Sequence, residues 1–240
     1  MPFRSEATWL CLSRQGREKE FHDLFDLALH EVEENLGVAL LENGQAEEAM
    51  QHFQQVTALA PSSGAAMGRE QAGYAAVAHL YLGAYDQQRG QLGAAIEQYK
   101  QVLSLAQSFA AQNVYANLPP VLIKVKATAL GNMGDAYFGL RDYDEAKSSF
   151  QAAVALDPAS ARSWVGLGVM KQKSGDLQGA IEAYSQAIKL QPSDVGYLLL
   201  AQALQQSGRS GEAQTAAQQA KFVSRDLTAA QHKVDSLLTH

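Results

Sequence analysis

Around residue 170 the apolar and small residues fall at intervals of three and four. Trp164, Leu167 and Gly168 lie on one stripe with the aliphatic stem of Lys171, which turns one face of a helix inward. Gly175 follows, a residue suited to the left-handed cap that stops such a helix. The period restarts with Ala180, Tyr184 and Ala187. Pro192 ends it, because the residue before a proline is pushed out of helical conformation. The pattern predicts helix, turn, helix, with Gly168 and Ala180 small enough for the two backbones to approach while Trp164 and Tyr184 fill the space beside them.

The chain writes this pattern five times. A turn residue is followed five positions later by Ala, then four later by an aromatic, then three later by a small or branched residue: Gly44, Ala49, Phe53, Val56; Gly90, Ala95, Tyr99, Val102; Arg141, Ala146, Phe150, Ala153; Gly175, Ala180, Tyr184, Ala187; and, more weakly, Gly208, Ala213, Ala217, Ala220. Upstream of each stands a small or apolar pair: Leu36-Gly37, Leu82-Gly83, Met133-Gly134, Leu167-Gly168 and Leu200-Ala201. Pro61, Pro158 and Pro192 each close a copy twelve residues after its Ala. Self-similarity at this period is the mark of a repeat architecture, in which each unit buries its apolar face against the next.

These residues resemble the tetratricopeptide repeat, a helical hairpin with small, aromatic and proline signature positions. The copies at 127–160 and 161–193 match almost in full, those at 30–63 and 76–106 match well, and the one at 194–227 is degenerate in its second helix. The resemblance implies an all-α fold, a right-handed α-solenoid of stacked hairpins over 30–227. An N-terminal helical cap over 1–29 and a C-terminal capping helix over 228–240 are expected to flank it. The alanine markers are 46, 51, 34 and 33 residues apart, so extra residues precede the second and third copies. They read as longer helices around a connecting loop at 113–120. In the second copy Tyr85 and Asp86 stand where small and aromatic residues are expected, which predicts a hairpin packed differently from the others.

At the ends, Phe21, Leu24, Phe25, Ala28, Val32, Leu36 and Leu40 follow helical period within one long first helix from Glu18 to Leu41, after a short apolar segment around Trp9. Leu227, Val234, Leu237 and Leu238 lie on a final amphipathic helix, and a stack needs such an element to cover its last apolar face.

Composition narrows the ligand. Charged residues are 18% of the chain and the net charge is −6, with ten acids and one base, Lys19, between Glu18 and Glu48. No basic stripe exists for phosphates, so nucleic acid is not expected as a partner. The lone cysteine, Cys11, precludes an intrachain disulfide framework and reads as packing. The apolar run Ala7 to Leu12 is too short for a signal segment and no run approaches 18 apolar residues, so a cytoplasmic protein without membrane insertion is expected, unless a longer chain carries an anchor or signal ahead of Met1.

Catalytic chemistry finds little support. His22, His30, His52, His79, His232 and His240 contain no pair three or four apart, so the helix-borne metal motif is missing. Glu31, Glu33 and Glu34 point in different directions around a helix and read as a solvated face. The stretch GLGVM at 166–170 belongs to the repeat. No cofactor and no enzyme activity are expected.

The remaining expectation is recognition of a peptide or protein partner on the concave face made by the first helices. Outward positions on those helices name the candidate binding residues Val77, Leu80 and Ala84; Thr128, Asp135 and Phe138; Arg162, Val165 and Val169; and Leu198. Glu31, Glu34, Val38, Gly131, Val195 and Gln202 project similarly. The apolar members either line a groove or are buried by neighbouring hairpins. Some relatives clamp a C-terminal carboxylate with Lys, Asn and Arg. Only Asn35 and Asn132 occupy such places here, and that ligand is disfavoured. Two alternatives stand beside the scaffold: a self-assembling module joined through its end helices, and a regulatory repeat segment of a larger enzyme or membrane protein.

Overall fold

The computed structural model describes residues 18–59, 69–112 and 118–239, and all the regular structure among them is helical. Trp9 and Cys11 lie outside the described residues. Among the described residues eleven helices follow one another: α1 (Glu18–Glu42), α2 (Ala46–Leu59), α3 (Arg69–Gln88), α4 (Leu92–Gln112), α5 (Pro120–Gly139), α6 (Tyr143–Leu156), α7 (Ala161–Lys173), α8 (Leu177–Leu190), α9 (Asp194–Gln206), α10 (Ser210–Val223) and α11 (Leu227–Thr239). They form an all-α solenoid of hairpins. The chain divides into two compact units, Met1–Val125 and Lys126–His240. Helices α3, α4 and α5 carry the extra residues that lengthen the spacing between copies.

Every turn residue of the repeat adopts positive φ: Gly44 (78°), Gly90 (75°), Arg141 (65°), Gly175 (82°) and Gly208 (79°). The bonding is the same at each. At Gly175 its N–H donates to the Gln172 carbonyl at 3.1 Å, and the next N–H, of Asp176, donates to Lys171 at 2.9 Å, the reciprocal closure that satisfies orphan carbonyls at a helix end. Side chains start several of the helices, although Asp142, next to the Arg141 turn, makes no such bond ahead of α6. Asp176 accepts from the Gly179 N–H at 2.9 Å, and the Ser160 and Ser193 hydroxyls accept from the N–H groups of Ser163 and Gly196. Such caps contribute about 1 kcal/mol each.

Within the first four hairpins a glycine on the first helix faces an aromatic ring sixteen residues on. A Cβ added at Gly37, Gly83, Gly134 or Gly168 would fall closer than 3.0 Å to the ring of Phe53, Tyr99, Phe150 or Tyr184 respectively. The missing side chain thus makes room for a ring. Trp164, expected to fill the same space, is half-buried and instead donates its indole N–H to the Pro158 carbonyl at 2.9 Å. The second hairpin repeats the glycine–ring contact despite Tyr85 and Asp86, because Gly83 and Tyr99 carry it and the other two sit at its edge.

Unit 1 has a core of Ala49, Phe53 and Val56 packed with Ala78 and Leu82, and Phe53 stacks on Tyr81 at 4.7 Å. In unit 2 the core runs from Phe150 through Leu167, Tyr184 and Leu199 to Val234 of α11. First helices touch in succession, α1 with α3 and α7 with α9, and α11 packs on α9 and reaches α7.

Candidate interaction surface

In unit 2, Gly134 of α5 and Gly168 of α7 turn one side of each helix onto a ring of its own hairpin, which leaves the other sides to neighbouring hairpins and the surface. The two clearest copies are 34 residues apart, and Thr128 and Arg162, or Asp135 and Val169, therefore hold equivalent places on α5 and α7. Asp135 and Phe138 of α5, Arg162, Val165 and Val169 of α7, and Val195 of α9 surround one cavity of about 500 Å³. Phe150, Met170 and Ala187 form its floor. Lys233 and Leu237 of α11 line it too, which the outward projection of first helices does not include.

The candidates differ in how far they face solvent. Phe138 and Val165 are half-buried, whereas Val169 is 2% exposed and reaches the cavity from within the core. Arg162 is exposed but engaged. Its guanidinium donates to Asn132 Oδ1 at 3.1 Å and to Asp135 Oδ2 at 2.5 Å, joining α7 to α5. Burial pushes the Asp135 carboxyl above its ordinary range, against the pull of Arg162 and Lys233. The rim thus carries a half-covered ion pair over an apolar floor.

Phe138 lies 5.9 Å from Tyr143, and the Lys173 ammonium sits 5.8 Å from the first ring and 5.1 Å from the second. Such cation–π contacts contribute about 0.5–1 kcal/mol when exposed and more when desolvated. The same ammonium donates to the Leu238 carbonyl at 3.2 Å.

The other candidates lie elsewhere. Thr128 is exposed on α5, and Leu198 lines a shallower depression with Gln202, Ala217 and Gln231. In unit 1, Leu80 is half-buried and Ala84 exposed on α3. Val77 lines a cavity of about 390 Å³ with Glu34, Glu70, Tyr74 and the segment from Pro119 to Val121. Burial, reinforced by Glu31, pushes the Glu34 carboxyl up to about 7. The Tyr74 hydroxyl is raised by burial and by Glu31, Glu34 and Glu70. Glu33 bonds His52 Nδ1 at 2.6 Å. The three glutamates are therefore not one solvated face, since Glu33 and Glu34 are half-buried and only Glu31 is exposed.

Gly166 and Gly168 are accounted for by packing on Phe150 and Tyr184. Among the described residues no cluster of three or more His, Cys, Asp or Glu could hold a metal, and no helix is long and apolar enough to cross a membrane.

Tetratricopeptide-repeat family models match residues 132–195 and residues 34–63. No curated protein matches the chain. Among solved structures, a crystal structure of MamA is similar over 83% of this chain and 96% of its own, at 21% identity and a TM-score of 0.55. MamA from Desulfovibrio magneticus RS-1, taken from its residue 41 to the end, aligns over 82% of this chain and 96% of its own, at 18% identity and a TM-score of 0.58. At these identities the likeness is one of fold.

Proposed function

We propose, from the premise that this chain belongs to the tetratricopeptide-repeat family, that it is a non-catalytic interaction scaffold whose unit 2 holds a peptide or protein partner against α5, α7 and α9. The observation that carries the reading is the cavity of about 500 Å³ bounded by Asp135, Phe138, Arg162 and Val165. An apolar floor under a charged rim is the arrangement that anchors one or two large side chains and orients the backbone around them. The reading assigns no cofactor, no nucleic acid and no bilayer-spanning segment to this function, and places the protein in the cytoplasm.

The test is selection of random displayed peptides on the wild-type chain, followed by titration of the recovered peptides against Phe138→Ala combined with Val165→Ser. Binding weakened at least tenfold, with the helical circular dichroism signal retained, supports the groove. Equal binding to both proteins removes it.

Self-assembly is favoured by a different observation. Val32 and Leu36, one turn apart on α1, are 59% and 42% exposed, an apolar strip suited to another copy. Light scattering across a concentration range decides it: a constant monomer mass rejects that reading.

A further inference from the structure

Helix α11 has the position of a cap, yet its contacts run past the last hairpin. Lys233 and Leu237 line the same cavity as Asp135, Phe138, Arg162 and Val165. The positive charge of Lys233 acts on the Asp135 carboxylate. At the far end, the Leu238 carbonyl accepts from Lys173, whose ammonium also lies against Phe138 and Tyr143. A cation is favoured there because the last carbonyls of a helix carry partial negative charge and lack intrahelical partners.

The attachment is nevertheless thin. Ala230 and Val234 are the buried residues of α11, while Leu237 and Leu238 are half-buried and most of the remaining side chains are exposed. Elements with so few buried apolar contacts open at a small fraction of the cost of global unfolding. Their spacing matters as well. Ala230, Val234, Leu237 and Leu238 fall at i, i+4, i+7 and i+8, the pattern by which an amphipathic helix lies in an apolar groove.

We propose that α11 is an internal occupant of the unit 2 groove, and that the partner is an amphipathic helix that displaces it. This rests on the reading of the groove as the binding face. The partner places leucine-sized side chains where Leu237 and Leu238 lie and a lysine or arginine near Asp135, as Lys233 does. Tethering gives α11 a high effective concentration, so the free chain is self-occupied and its apparent affinity is reduced by the small fraction in which the groove is open.

A labelled synthetic peptide with the sequence of residues 225–240 serves as the probe, titrated by fluorescence anisotropy into the full chain and into full-chain Val234→Asp with Leu237→Asp. Hydrogen exchange follows α7, α9 and α11 in both proteins. The expected result is at least tenfold tighter binding to the variant, with protection lost in α11 and kept in α7 and α9. No gain in binding despite protected α7 and α9 overturns the proposal. Where that variant loses protection in α7 and α9 as well, Lys173→Ala decides, since it leaves every apolar contact of α11 in place. Faster exchange at the end of α11 with a severalfold gain in peptide affinity is expected, and no change in either overturns the displacement. Failure here, with display-selected peptides still sensitive to Phe138→Ala, removes the role of α11 and leaves the groove. Insensitivity of those peptides removes the groove itself.

Discussion

The hydroxyl of Tyr184 donates to Gln172 Oε1 at 2.8 Å, and that of Tyr99 donates to Gln87 Oε1 at 2.8 Å, in both cases twelve residues upstream. Where the ring lacks a hydroxyl the upstream residue is apolar, Leu41 for Phe53 and Phe138 for Phe150. A buried hydroxyl left without a partner costs about 1–3 kcal/mol, whereas replacing both partners by apolar groups can be nearly neutral. Burial holds the Tyr184 hydroxyl far above the ordinary tyrosine range, so it stays a donor. Gln172→Leu is therefore expected to destabilise the protein by about 1–3 kcal/mol, and Tyr184→Phe combined with it by less than the sum of the two single changes. Denaturant melts of the four proteins measure this, and strict additivity would contradict the pairing. The same logic frees Phe138: lacking a polar partner to satisfy, the third copy can place an aromatic ring at the cavity.

At the scale of the element, the hairpin turns were the most legible feature of the chain. Left-handed conformation is a demand on a single residue that glycine meets without strain, so Gly44, Gly90, Gly175 and Gly208 mark turns by their identity. Arg141 was placed only by its register with them, and it alone among these five carries a Cβ at positive φ. Arg141→Gly is expected to stabilise unit 2 by about 0.5–1 kcal/mol, the relief of left-handed strain outweighing the added freedom of the unfolded chain. A lower denaturant midpoint in that variant would contradict the turn assignment. The surface was legible only in part. Helical period can say that Arg162 points outward, but its capture by Asn132 and Asp135 spans 30 and 27 residues and depends on how α7 stacks on α5. Val169 projects outward by period yet is enclosed by neighbours, and the face that α11 turns to the cavity is set by tertiary packing. Each of these is a property of stacking register, which one hairpin's pattern does not contain.

For the molecule as a whole, charge is divided as unevenly as chemistry. Glu34 in unit 1 has a folded pKa of about 7 against an ordinary value of 4.5. The folded state thus binds this proton more tightly than the unfolded one. The resulting stability is complete below about pH 4.5 and is lost as pH rises through 7. Glu34→Gln is expected to gain about 1–2 kcal/mol over wild type at pH 8, discounted for the half-exposed site, and little at pH 4.5. Circular dichroism melts at the two pH values measure it, and a gain confined to the lower pH would contradict the burial of this carboxylate.

The acidic stretch from Glu18 to Glu48 and the apolar cavity of unit 2 would bind partners by different physics. Attraction to the acids is screened over about 8 Å at physiological salt and weakens as salt rises. Apolar burial gives a negative heat-capacity change with little salt dependence. The decisive measurement is titration calorimetry of a display-selected peptide at low and high salt and at several temperatures, using wild type, Phe138→Ala with Val165→Ser, and the chain with Glu31, Glu33 and Glu34 changed to Gln. Binding in the groove predicts a negative heat-capacity change, nearly equal affinities at both salts, and loss in the Phe138 and Val165 variant alone. Loss in the glutamine variant alone, with a steep fall in affinity as salt rises, would contradict it and move recognition to the acidic N-terminal hairpin.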